Sequence, residues 1–345
     1  MKFYPNRLFT LLLFAGFLLN YSCQAQQNKI RTACIAFYNV ENLFDTIDSP
    51  DTDDAEFLPN GANRWNSSKY NEKLSHLSEV LSKIGSELVK NGPTIIGLSE
   101  IENRQVMEDL INTPEMKKLG YGIIHFDSPD GRGVDVGLLY KKTAFRPEAA
   151  TSVRLSVPWN NSWKSRDQLV VSGKLDGDKV HFIVNHWPSR RAGPEYRAEA
   201  GKLTRKIVDS LYAIDPQSKI MVMGDLNDDP IDPSLIEHLK VSGKEKDVQK
   251  GGLFNPYYQL FKDGIGSLAY RDAWNLFDQI IVSEPLLGKD RNSYKFYKAR
   301  VFNERFLLQK EGQYAGYPWR SFAGGTYIGG YSDHFPVYLF LVKEL

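Results

Sequence analysis

The chain has only two cysteines in 345 residues, and one of them, Cys23, stands in a segment that export would remove or modify. Without it Cys34 has no partner, so no intramolecular disulfide is available. Its apolar neighbours Ala33, Ile35, Ala36 and Phe37 mark it as a buried, inert thiol. Net charge is equally scarce, with 43 Lys and Arg against 42 Asp and Glu. A near-neutral protein has no global field to gather polyanions, so any affinity for nucleic acid must come from a local basic patch. The sequence also lacks a Gly-x-Ser-x-Gly elbow, a Walker loop, a dinucleotide fingerprint and a Cys–His nucleophile pair. Serine- and cysteine-based acyl transfer, P-loop chemistry and hydride transfer are thereby set aside. No internal repeat or low-complexity stretch is visible.

One apolar run is long. Lys2 and Arg7 precede Leu8 to Leu19, and the polar stretch Asn20-Tyr21-Ser22-Cys23-Gln24-Ala25 follows. A basic start, an apolar stretch of this length and small residues near a cut site are the parts of a secretory signal. The run is too short for a permanent helix across a bilayer, which takes ~20 residues. Residues 1–25 are therefore expected to direct export. Leu19-Asn20-Tyr21-Ser22-Cys23 is similar to a bacterial lipobox, which would leave a lipidated Cys23 on the cell envelope. An ordinary cut before Gln26 would give a secreted or periplasmic protein instead. Either way Lys2 and Arg7 are lost, and the formal charge moves from +1 to −1.

The rest, residues 26–345, reads as one domain with 26–29 as a linker. Apolar, β-rich runs end abruptly in polar clusters: Ile30–Val40, residues 94–98, 134–140, 179–184, 220–223, 278–282 and 335–340. Short apolar runs bounded by turn residues are expected to be strands buried on both faces. Helical spacing of Leu74, Leu77, Leu81, Ile84 and Leu88 predicts a helix over 69–90. Ala198, Leu203, Ile207, Val208 and Leu211 predict another over 195–214, and 235–239 is a shorter piece. Strands alternating with helices imply α/β layers, helices outside the sheets. Residues 243–273 and 285–330 show weak periodicity and are expected to be loops rimming the functional face.

Taken singly, an Asp or Asn after a strand is a turn or capping residue. The set is more informative. Asn39, Glu41, Glu100, His186, Asp225, Asn227, Asp278, Asp333 and His334 all stand at or beside strand ends. If those ends converge, they line a cleft with carboxylates, amides and two imidazoles. Buried carboxylates need a counter-charge, and oxygen donors without cysteine suit Mg2+ or Mn2+. Such an inventory suits hydrolysis of a phosphate ester.

Phe37-Tyr38-Asn39-Val40-Glu41-Asn42, Leu98-Ser99-Glu100, Asn185-His186-Trp187-Pro188-Ser189, Gly224-Asp225-Leu226-Asn227-Asp228, Phe277-Asp278-Gln279-Ile280 and Ser332-Asp333-His334-Phe335-Pro336-Val337 occur in this order. The sequence strongly resembles the endonuclease/exonuclease/phosphatase superfamily over residues 30–343. That resemblance implies a four-layer α/β (α+β) sandwich, two packed mixed β-sheets flanked by helices. It implies Glu100 as the main metal ligand, with Asn39 and Glu41 beside it and Asp333 at the metal or a second ion. It further implies Asp225 as the residue that orients or deprotonates the attacking water, and Asn227 and His186 at the phosphate. His334 becomes the phosphate-binding imidazole, with Asp278 its orienting carboxylate. None of these groups is missing, so an active enzyme is expected rather than a silent binding protein.

The substrate is less sharply written. Arg190, Arg191 and Arg197 directly follow the His186 cluster and are expected to bind phosphates at the cleft mouth, with Arg132, Lys141, Lys142 and Arg166 extending the patch. The Arg-rich stretch is similar to that of bacterial extracellular nuclease-like members. Nucleic acid is thus the expected partner of a monomeric protein. A phosphomonoesterase or lipid phosphodiesterase is the alternative, with Tyr257, Tyr258, Phe261 and Trp274 as candidates for a membrane-inserting tip. The Trp-x-Gly-Asp-Arg pattern of inositol 5-phosphatases is absent, and Ala269-Tyr270-Arg271-Asp272-Ala273-Trp274 is a scrambled echo of its partner motif.

Overall fold

A computed structural model describes residues 29–345. The export segment and Cys23 lie outside the described residues. Within the described residues, no helix is long and apolar enough to cross a membrane.

The strands in chain order are β1 (Ile30–Leu43), β2 (Ile95–Ile101), β3 (Tyr121–His125), β4 (Asp135–Lys141), β5 (Phe145–Val153), β6 (Gln168–Leu175), β7 (Asp178–His186), β8 (Lys219–Asp225), β9 (Val241–Ser242), β10 (Leu253–Phe254), β11 (Leu268–Tyr270), β12 (Ala273–Asn275), β13 (Asp278–Ser283), β14 (Lys295–Val301), β15 (Phe322–Ala323), β16 (Thr326–Tyr327) and β17 (Val337–Glu344). One mixed sheet has the order β14-β17-β1-β2-β4-β3, the other β5-β6-β7-β8-β13-β10-β9; β11–β12 and β15–β16 are separate hairpins.

The two sheets face each other, and the period-2 alternation of β1 shows why. Ala33, Ile35 and Phe37 point inward to Val171, Phe182, Met221, Met223 and Ile280 of the opposite sheet. Cys34, Ala36, Tyr38 and Val40 point outward to Leu74, Leu77 and Leu81 of helix α1 (Ser67–Lys83). Cys34 is fully buried, as expected of an inert thiol. On the other side, Ile183 and Val222 pack under Ala200 and Val208 of the long helix Pro194–Ile214. The result is the expected helix–sheet–sheet–helix sandwich.

Helix α1 is shorter than its leucine spacing predicts. Asn66 caps it by accepting from the Ser68 and Lys69 amides. It stops before Gly85, whose φ of 71° breaks the helix. A Cβ there would lie 2.5 Å from Cys34 Sγ, so the close approach also requires glycine. Leu88, beyond the break, is exposed rather than packed.

The segments expected as rim loops are only partly so. Residues 295–301 form β14, the edge strand beside β17. Leu307, Trp319, Phe322 and Tyr327 pack onto the outer core near Trp65 and Tyr331. Tyr257 is no membrane tip: it is fully buried and its hydroxyl donates to the Tyr338 carbonyl. Trp274 is exposed at one edge but stacks on Phe335 at 5.9 Å.

A candidate phosphoester-hydrolysis site at the strand edge

Register makes the polar clusters converge. β1 runs parallel to β2, and β7 parallel to β8, so Asn39 lies opposite Ser99 and His186 opposite Asp225. β13 and β17 run antiparallel to these pairs; Asp278 lies opposite Asp225, and Val337 opposite Phe37. Four C-terminal and two N-terminal strand ends therefore meet at one edge of the sandwich.

The backbone departs from ideal strand there. Between the pairs Asn39–Ser99 and Ile101–Leu43, β1 carries more residues than β2, and the register shifts. Glu41, Asn42 and Glu100 adopt φ values of 52°, 51° and 61°, as does Asn227 after β8 at 51°. Non-glycine residues rarely enter this left-handed region, and its cost is tolerated where it re-aims a side chain. The bulge turns Glu100 toward the edge, where its Oε2 accepts the Asn42 amide at 2.9 Å. It also turns Glu41 away, so that Oε2 accepts the Ser321 amide at 2.7 Å and lies 3.5 Å from the buried Lys73 Nζ. Glu41 is thus a structural ion pair rather than the cation ligand expected beside Asn39.

Asp225 is the hub. Its Oδ2 accepts from Asn39 Nδ2 at 3.0 Å, and its Oδ1 from the Asn227 amide at 3.0 Å. His186 Nε2 and His334 Nε2 lie 3.6 and 4.0 Å from Oδ2. Burial raises its pKa to about 7, against the lowering effect of His334, and nearby Asp278 adds to the rise. Burial likewise holds His186 well below the usual histidine value, with Arg166 and Arg132 adding to the effect, so it is neutral at pH 7. For His334 burial opposes the charge, but Asp278, Asp333 and Asp225 together outweigh it and raise the pKa well above the ordinary value. One imidazole and one imidazolium flank the same carboxylate.

Three structural supports were not legible in the sequence. Ser267, fully buried, donates its hydroxyl to Asp278 Oδ2 at 2.5 Å, the oxygen that also meets His334 Nδ1 at 2.7 Å. Arg166, expected in a substrate patch, is buried; its Nε and Nη2 donate to the His186 and Trp187 carbonyls, and its Nη1 to Asp130 Oδ2. Ser332 Oγ donates to the Asn39 carbonyl and receives the His334 amide, tying β17's entry to β1. Serine hydroxyls of this kind carry no sequence signal beyond their position before a strand.

The expected basic patch mostly dissolves. Arg190 Nη2 lies 3.0 Å from Asp229 and 2.8 Å from Asp232, and its guanidinium covers the Phe277 ring at 4.4 Å. Arg197 is buried 2.7 Å from Asp228. Lys141 donates to the Asn91 and Gly92 carbonyls. β4 runs antiparallel to β2, so Lys141 and Lys142 sit at the far edge. Arg132 pairs with Asn42 and lies 3.7 Å from Glu100. Of the expected patch, only Arg191 both lines the cleft, with Arg190, Phe277 and Asp333, and has no carboxylate partner among the described residues.

The donors fit a hard divalent cation. Glu100, Asp225, Asp278 and Asp333 bring more negative charge to the edge than His334 and the outlying Arg132 balance, and among the described residues Glu100 Oε1 has no hydrogen-bond donor. Asp225, Asp278 and His334 bring their ligating atoms within 4.8 Å of one another. The short His334–Asp278 bond commits that pair to each other, so Glu100 and the one-third-exposed Asp333 offer the freest oxygens, with Asn39 Oδ1, which also accepts the Glu41 amide, beside them. A second trio, His125, Asp127 and Asp135, is a loop anchor: His125 Nε2 meets Asp135 Oδ2 at 2.9 Å, and Asp127 faces solvent.

A sequence model of the Endonuclease/Exonuclease/phosphatase family matches residues 34–343. No curated protein matches the chain in sequence. Among solved structures, an endonuclease/exonuclease/phosphatase family protein from Bacteroides thetaiotaomicron has a TM-score of 0.55 at 17% identity, covering 92% of this chain and 97% of that one. A mannosyl-6-phosphatase from the same organism has 0.53 at 16%, over 90% and 99%. D. rerio TDP2 complexed with single strand DNA product has 0.54 at 14%, over 90% and 98%. At these identities the likeness establishes the fold. The sequence match, spanning nearly all the described residues, places the chain in the endonuclease/exonuclease/phosphatase family.

Proposed function

We propose that the protein is an exported, divalent-metal-dependent phosphoesterase that hydrolyses a phosphodiester bond in a nucleotide-type substrate. The observation that carries this reading is the placement of one buried carboxylate, Asp225, between a neutral and a charged imidazole, with Asn39 and Asn227 fixing both its oxygens.

A divalent cation held by Glu100, Asn39 and Asp333 would supply positive charge to the phosphate and the departing oxygen. The chain's own residues do the rest. Asp225 orients a water and takes its proton as the new oxygen–phosphorus bond forms and the ester bond to the leaving oxygen breaks. Burial, which raises the Asp225 pKa, makes it a better proton acceptor than an exposed aspartate. His334, held as imidazolium by Asp278, donates through Nε2 to a phosphoryl oxygen. Neutral His186, fixed by Arg166 through its carbonyl, offers its Nε2 hydrogen to the same group. The Asn227 amide steadies the turn beside them by donating to the Trp187 carbonyl.

The pairing of Arg190 and Arg197 with aspartates leaves no continuous arginine row after His186, which supports a short substrate over long polynucleotide. A sugar phosphate monoester is the second reading, favoured by the neutralisation of Arg190 and Arg197. Turnover of DNA, RNA, bis-p-nitrophenyl phosphate and p-nitrophenyl phosphate with Mg2+ or Mn2+ separates the two. The diester reading expects faster hydrolysis of the diesters; a preference for the monoester overturns it. Export, with Cys23 lipidated, is part of the proposal and rests on the residue pattern of the first 25 positions. Mass spectrometry of the mature N-terminus tests it: a diacylglyceryl mass on Cys23 is expected, and an unmodified chain beginning at Gln26 contradicts the anchor.

A further inference from the structure

Two clefts adjoin the catalytic edge and share Ala269, Tyr270 and Arg320 as a common wall. The nearer, of about 430 Å³, reaches Phe277 and Asp333, the neighbours of Asp278 and His334. The farther, of about 330 Å³, continues past Arg271 to Tyr314 and Tyr317. Together they form one groove leading away from the phosphate position.

Arg320 stands at the junction. Its guanidinium lies over the Tyr314 ring at 5.3 Å. Its Nε is buried and has no hydrogen-bond partner, and among the described residues no carboxylate lies within ion-pair distance of it. That is unlike Arg166, Arg190 and Arg197, each neutralised by Asp. A buried N–H without an acceptor is costly unless something else satisfies it. The flanking residues are held firmly. Trp319 exchanges backbone bonds with Leu307 and Tyr331, and the Ser321 amide is fixed on Glu41. Arg320 is therefore presented by a rigid segment, with its charge free. Arg191 and Arg271, also without carboxylate partners, rim the same groove.

The remaining surface is aromatic. Tyr270 is largely exposed and carries Arg271 over its ring at 5.2 Å. Tyr317 is locked by its hydroxyl to Asp272 and lies 5.8 Å from Tyr314. Flat faces backed by guanidinium planes are suited to stacking a planar ring, and a free guanidinium beyond them to a second anion.

We propose that this groove is a recognition site for a planar ring bearing a second anionic group, with Tyr270 and Tyr314 receiving the ring and Arg320 the anion. The inference deepens the phosphoesterase reading and rests on it for the placement of the first phosphate. It makes the substrate a nucleotide with an additional phosphate, or a short oligonucleotide whose neighbouring phosphate fills the role.

The test is equilibrium binding to the full protein in chelator, so that no turnover occurs, using a nucleoside 3′,5′-bisphosphate, the matching 5′-monophosphate and an inositol bisphosphate. The bisphosphate nucleotide is expected to bind about tenfold or more tightly than the monophosphate, as a charge-assisted fork on phosphate would give. Arg320→Gln and Arg320→Met should each erase that preference, and whichever retains the wild-type melting curve decides. Equal binding of the two nucleotides, or a preference that survives loss of Arg320, overturns the anion site. Inositol bisphosphate binding as tightly as the nucleotide overturns the planar ring, as does Tyr314→Ala leaving nucleotide affinity unchanged. Hydrolysis of p-nitrophenyl esters with Mg2+, measured alongside, bears on the phosphoesterase reading alone. Binding with the expected preference but no turnover would defeat that reading and leave the groove; turnover without preference would do the reverse.

Discussion

Ser267 Oγ lies 2.5 Å from Asp278 Oδ2, the same oxygen that holds His334 Nδ1 at 2.7 Å, so a hydroxyl, a carboxylate and an imidazolium form one buried chain. Ser267 also takes the Phe335 amide on its carbonyl, which fixes the turn carrying His334. It acts through its neighbours as a positioning residue. Ser267→Ala should lower kcat by roughly tenfold and destabilise the fold by about 1 kcal/mol, the net worth of one buried hydrogen bond. With one donor gone, Asp278 grips the His334 proton harder, so the imidazole's titration, followed by NMR, should move upward. A lower kcat with His334 titrating at its wild-type pH would make Ser267 merely structural.

His181 gives a pH dependence with a definite sign. It lies in the middle of β7, with Nδ1 2.7 Å from the Ser172 hydroxyl and, among the described residues, no partner for its buried Nε2. Burial lowers its pKa, with Lys179 adding to the effect. Below the ordinary histidine range the unfolded chain takes up a proton that the folded protein refuses, so stability falls as pH falls through that range, by up to ~1.4 kcal/mol per pH unit. His181→Gln should lose less stability than wild type in urea unfolding between pH 7.5 and pH 5.5. Other histidines contribute equally to both proteins and cancel. Parallel losses in the two would contradict the assignment.

Arg190 and Arg191 are adjacent but do different work. Arg190→Ala strips the counter-charge from Asp229 and Asp232 and uncovers Phe277. It should cost about 1 kcal/mol of stability and leave the salt dependence of substrate binding unchanged. Arg191→Ala should leave stability unchanged and reduce the slope of log affinity against log salt by about 0.7–0.9, one phosphate contact. The opposite assignment of effects, read from melting curves and salt titrations, would restore the arginine row that the sequence suggested.

Much of the fold was readable because its central strands are buried on both faces. β1, β2, β8 and β13 are nearly continuous runs of buried residues and announce themselves as such. The edge strands β5 and β14 alternate weakly and are mostly solvent-facing, so their patterns look like loop. Site residues at strand ends were legible because polarity changes abruptly at Asn39, Glu100, His186 and Asp225. Side-chain direction was not. Whether Glu41 turned toward the edge or toward Lys73 depended on a bulge with left-handed φ, which residue type does not dictate. The arginines after His186 show the same limit, because the aspartates that neutralise Arg190 and Arg197 are contributed by the turn after β8. The burial of Arg166 depends on Asp130, 36 residues away, which nothing in its own stretch of sequence announces.

The central claim is that Asp225 orients and deprotonates water beside a divalent cation. The direct measurement is steady-state hydrolysis of bis-p-nitrophenyl phosphate by the mature protein with Mg2+ or Mn2+ against Asp225→Asn. Removing a general base costs on the order of 10²–10⁴ in rate. A loss of that size in kcat is therefore expected, together with loss of wild-type turnover in chelator. Asp225→Asn gives up one acceptor, since its single oxygen can serve Asn227 or Asn39 but not both, so an unchanged melting curve is checked first to assign the loss of rate to the base. Turnover that survives Asp225→Asn, or that proceeds undiminished in chelator, would contradict the account.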